Sequence, residues 1–78
     1  MDVVTQNVAR YVREKRINIL AMSRDTGIPY AALYTSLADK NKDRELRGKE
    51  LIAISKFLGV DPMEFAGDLL KGGEKGGK

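Results

Sequence analysis

With neither Cys nor His among its 78 residues, this chain leaves its chemistry to cations, hydroxyls and three tyrosines. The cations cluster twice. Arg10, Arg13, Lys15 and Arg16 stand against the single Glu14, and Lys40, Lys42, Arg44, Arg47 and Lys49 stand against Asp43 and Glu45. Just before the second cluster, Tyr30, Ala31, Tyr34 and Thr35 recur at helical spacing, and no charged residue occurs from 29 to 38. Cations of this kind hold phosphates or pair with carboxylates, while neutral phenols, hydroxyls and methyls can meet base edges or a protein surface. Each charge cluster taken alone also fits a solvated surface, and Arg44 and Arg47 have Asp43 and Glu45 as nearby pairing partners.

The missing residue types exclude much else. Without thiolate or imidazole there is no zinc finger, haem attachment, iron–sulfur cluster, disulfide framework, or Cys–His or Ser–His nucleophile pair. The acidic residues fall in helix starts, loops and turns and make no catalytic pair, so neither enzyme activity nor a metal or cofactor is expected. No run approaches eighteen apolar residues, and the start MDVVTQNVARYV lacks the pattern of a signal peptide. The expectation is a soluble cytoplasmic protein with no membrane partner. A chain of this length holds one small core, burying about 60% of the surface its unfolded form exposes.

The elements that must position these residues are helices. Val4, Val8, Tyr11 and Val12 form one stripe over 2–16, with Asp2 at its amino end. Asn18 caps a second helix over 19–26, ended by Gly27. Pro29 opens a third over 29–38, with Ile28, Leu33 and Leu37 inward beside the small Ala32 and Ser36. That leaves Tyr30, Ala31, Tyr34 and Thr35 outward, an uncharged face where solvated helices carry Lys and Glu. DKNKDRELR (39–47) reads as a loop anchored by Leu46. A fourth helix covers 48–58, with Leu51, Ile54, Phe57 and Leu58 on its stripe and Gly59 as its stop. Asp61, Pro62 and Glu64 supply cap, first-turn proline and capping-box acid for a fifth helix containing Phe65, Leu69 and Leu70. Residues 1–70 make one domain, and KGGEKGGK (71–78) reads as a disordered tail. Tyr11 reads as core edge, and Met22 and Met63 as core filling.

Within MSRDTGIPYAAL (22–33), the small Ser23 lies four before Gly27, apolar Ile28 follows the Gly, and Leu33 lies six after it. Two short helices crossing steeply need a small residue where they touch and a Gly at the turn. This is helix-turn-helix spacing. Together with LIAISKFLGVDPMEF (51–65), the chain over 4–66 resembles the DNA-binding domain of the phage-repressor and Cro family, the lambda-repressor-like, xenobiotic-response-element type. The resemblance implies an all-α, compact five-helix fold with the helix-turn-helix in helices 2 and 3. It also implies sequence-specific binding of a double-stranded DNA operator by a repressor-type regulator, with 29–37 in the major groove.

By the same resemblance Tyr30, Ala31, Tyr34 and Thr35 would meet bases, and Asn18, Lys40, Lys42, Arg44 and Arg47 would meet phosphates. Ile19 stands where many members have Gln, Ser23 where Ala is usual, and the recognition helix has no Arg for guanine. A homodimer is expected on DNA, with Met63, Phe65, Leu69 and Leu70 as candidate interface residues. Leu69 and Leu70 could equally pack on the first helix. The alternative function is a protein-binding helical module, such as an antitoxin or a mobile-element accessory protein, docking through the tyrosine face.

Overall fold

The computed structural model describes residues 2–67. Four α-helices follow in order: α1 (Val3–Glu14), α2 (Ile19–Thr26), α3 (Tyr30–Leu37) and α4 (Gly48–Leu58), then one short 3-10 helix (Pro62–Ala66). No strand occurs among the described residues.

Local chemistry accounts for most boundaries. Asp2 accepts from the Thr5 amide at 3.4 Å to start α1, and Asn18 accepts from the Ala21 amide at 2.9 Å to start α2. Each cap occupies an amide that the helix itself leaves without a partner. Gly27 (φ +80°) and Gly59 (φ +71°) close α2 and α4 in the left-handed conformation that glycine adopts without steric cost. Pro29 is the residue before α3 rather than its first helical residue.

The fifth segment departs from expectation. Asp61 accepts from the Met63 amide at 2.9 Å, as a cap should. The Glu64 amide then bonds the Asp61 carbonyl at 2.9 Å, three residues back, and the turn winds as a 3-10 helix. A cap and a proline start a helix without deciding its winding, so the described fold has four α-helices rather than five. Leu69, Leu70 and the 71–78 tail lie outside the described residues.

The core is built from Val8, Val12, Met22, Ile28, Leu33, Leu37, Ile54 and Phe65. Burying a side chain of this size stabilises by about 1.5–3 kcal/mol. The α1 helix packs on α3 and the 3-10 helix, and α2 packs on α3 and α4. Thr5 rather than Val4 takes the fully buried place on α1, because its hydroxyl accepts the Leu46 amide at 3.0 Å and ties down the long loop. Tyr11 is half-buried at the core edge, with the Phe65 ring edge-on at 5.6 Å. Met63, which the sequence pattern assigned to the core, is 54% exposed.

Candidate nucleic-acid interface

The turn between α2 and α3 is held by side chains as well as by Gly27. The Ser23 hydroxyl donates to the Ile28 carbonyl at 2.6 Å. The Thr26 hydroxyl donates to the Met22 carbonyl at 2.7 Å and accepts the Ile28 amide at 3.2 Å. Ser23 therefore makes a bond across the turn that alanine could not. With Leu33 fully buried below it, α3 is locked at a fixed angle to α2.

That packing decides which face of α3 remains outside. Leu33, Ser36 and Leu37 are buried; Tyr30, Ala31 and Tyr34 are exposed and Thr35 is half-buried. The Tyr30 and Tyr34 rings lie 6.0 Å apart, tilted by 31°. The Thr35 hydroxyl donates to the Ala31 carbonyl at 2.8 Å, so its proton is already engaged and its oxygen is left as an acceptor. The outer surface of α3 offers phenols, methyls and one hydroxyl acceptor, and no charge.

The loop after α3 is rigidly tied. Asp39 accepts the Asn41 amide at 2.9 Å. Arg44 donates through Nη1 and Nη2 to the two Glu50 carboxylate oxygens, at 3.1 and 2.8 Å, and through Nη1 to Ser36 Oγ at 2.8 Å. Glu50 also accepts the Arg47 amide at 2.9 Å, capping α4 from its third position. The hydrogen bonds from Arg44 hold the Glu50 carboxyl below its ordinary range, reinforced by the Arg47 amide, and the same pairing raises Arg44.

Arg44 thus has Glu50 and Ser36 as partners within the fold and keeps 29% of its side chain exposed. The structural role of Glu50 was not read from the sequence. Its place three after Arg47 at a helix start was the available signal.

Asn18, Lys40, Lys42 and Arg47 are all exposed. The tertiary fold brings Lys40 from the second cationic cluster to the same groove as Arg13 and Arg16 from the first. Ile19 lines that groove too. The proposed dimer residues separate. Met63 is exposed, but Phe65 is 3% exposed, with its ring against Tyr11 and its carbonyl accepting Asn7 Nδ2 at 2.7 Å. Phe65 serves the core and is not available to a second copy. Leu20 and Ile52 are exposed apolar residues that the sequence pattern did not single out as surface sites.

Among the described residues no group of acidic side chains is arranged to hold a metal ion, and no helix is long and apolar enough to cross a membrane. Compared with known proteins, residues 7–70 match a family model described as the Cro/C1-type HTH DNA-binding domain. Neither the curated proteins nor the solved structures gave a match.

Proposed function

This chain belongs to the Cro/C1-type helix-turn-helix DNA-binding family, and from that premise we propose that it is a sequence-specific transcriptional regulator of repressor type. It acts as a binding module in the cytoplasm, not as an enzyme. The α3 helix enters the major groove of a double-stranded operator, and occupation of that operator controls access of polymerase.

The observation that carries this reading is the outer face of α3. Tyr30, Ala31 and Tyr34 are exposed without a single charge on the helix, beside a loop that presents Lys40, Lys42 and Arg47. Phosphates are met by cations and by the exposed Asn18 at the start of α2, and base edges by neutral groups. Tyr30 and Tyr34 reach phosphate or base edges, Ala31 packs on a thymine methyl, and Thr35 accepts from a base amino group. With one recognition helix per chain, affinity comes from a homodimer on half-sites about one helical turn apart. Met63, at 54% exposure, is an interface candidate within the described residues, and Leu69 and Leu70 remain candidates beyond them.

The test is selection of sites from a random duplex pool, followed by anisotropy titration at two salt concentrations. A near-palindromic site bound more weakly as salt rises supports the proposal. Enrichment of no sequence overturns the operator reading. A second reading, a protein-docking module, is favoured by the paired exposed tyrosines, since Tyr is enriched at protein interfaces. An interface centred on Tyr would respond weakly to salt, whereas phosphate contacts make binding fall steeply.

A further inference from the structure

What α3 lacks restricts what it can read. From 29 to 38 there is no Arg, Lys, Asn, Gln, Asp or Glu. Guanine is picked out by a bidentate Arg or Lys, adenine by a bidentate Asn or Gln, and the cytosine amino group by a carboxylate. None of these pairings is available to this helix. The next cation along the chain, Lys40, lies beyond it, in the groove with Arg13 and Arg16.

What remains is narrower. The pairs Tyr30–Tyr34, Ala31–Tyr34 and Ala31–Thr35 are spaced three or four residues apart, so the four residues share one face. Tyr30, Ala31 and Tyr34 are exposed, and the two rings lie 6.0 Å apart. A phenol O–H donates to one acceptor at a time. Guanine, adenine and thymine all offer an acceptor in the major groove, so a phenol does not separate them. The Thr35 hydroxyl, its proton taken by the Ala31 carbonyl at 2.8 Å, accepts from the amino group of adenine or of cytosine. The thymine C5-methyl is different. Only one base carries it, and it packs on apolar side chains. The Ala31 methyl and the faces of the two tyrosine rings are surfaces of that kind.

We propose that α3 recognises its operator chiefly through thymine methyls, so that the bases it faces form a core rich in A·T pairs. The inference rests on the DNA-binding reading above and names the class of sequence that this face takes. The phenols and the Thr35 oxygen add hydrogen bonds within that core, and the methyls carry the discrimination.

The experiment starts from the duplex selected from a random pool. Thymidine is replaced by deoxyuridine one position at a time, which removes the methyl and keeps every hydrogen-bonding group of the base pair. Binding is read by anisotropy at one salt concentration for the wild-type chain, Ala31→Gly and Tyr34→Ala. The wild type should bind about fourfold more weakly at each contacted thymine, the worth of one carbon withdrawn from water. In each variant, the position that the lost side chain covers should become insensitive to the exchange. Comparing two duplexes with the same variant cancels any cost of the substitution to the fold.

A selected half-site made mostly of G·C pairs, or a scan in which no deoxyuridine weakens binding, would overturn the inference and leave the operator reading standing. Losses that persist unchanged in both variants would also overturn it, since they would arise in the duplex and not at α3. A wild-type chain that enriches no sequence would remove both proposals.

Discussion

Arg44 and Glu50 are joined by two parallel hydrogen bonds, at 3.1 and 2.8 Å, and that pair welds the loop after α3 to the start of α4. Because Ser36 accepts from the same guanidinium, the pair also reaches back under α3. Replacing Glu50 by Gln removes the charge and keeps an acceptor for the Arg47 amide. Stability at neutral pH should drop by about 1–2 kcal/mol, the usual range for a charge-assisted bond that is partly screened. The folded carboxyl titrates below its ordinary value of 4.5. The pair therefore stabilises fully above that value, and its contribution is lost as pH falls through the lower folded one. Urea midpoints of wild type and Glu50→Gln should differ at pH 7 and converge in acid. A gap that persists in acid would place the effect elsewhere.

The Leu46 amide is held by the buried Thr5 hydroxyl, a contact spanning 41 residues of chain. Thr5→Val keeps the shape and removes the acceptor. An amide left buried without a partner costs about 1–3 kcal/mol. Hydrogen exchange at Leu46 should accelerate by more than the global loss of stability explains. Unchanged protection there would mean that the loop is anchored by other contacts.

Tyr34 is 45% exposed, so removing its ring should change stability by no more than about 0.5 kcal/mol. On the selected duplex Tyr34→Ala should weaken binding by about tenfold, within the range of a good base contact, and on a random duplex much less. Equal losses on both duplexes would assign the phenol to a phosphate instead of a base.

Gly27 offers a clean measure of the turn. No atom lies within 4 Å of where a Cβ would stand, so Gly27→Ala meets no clash and tests the backbone alone. At φ +80° the substitution should cost roughly 1–2 kcal/mol, read from equilibrium denaturation. A cost near zero would show that the turn can reach α3 by another path.

Much of this molecule was legible from local pattern. Asn18, Gly27 and Gly59 mark helix ends through interactions that close within four residues, so the caps predicted from residue type are the caps observed. The outer face of α3 was legible because Leu33 and Leu37 leave only one side of a short helix free. Residues 61–66 were legible as a helix start but not in their winding, since a cap and a proline open a 3-10 helix as readily as an α-helix. Of the two interface candidates in this turn, Phe65 is buried in the core and Met63 is exposed. An apolar side chain near a helix start carries no mark of whether it turns inward.

The sequence by itself determined where helices begin and end, the helix-turn-helix spacing, and the uncharged face, because each rests on short-range sterics, caps and periodicity. Only the tertiary structure decided which cations are free. It paired Arg44 with Glu50, six residues further along the chain, and it brought Lys40 to Arg13 and Arg16 across more than twenty residues. Charge acts through space with little regard for chain order, and a count of residues along the chain carries no distance between them once the chain has folded back.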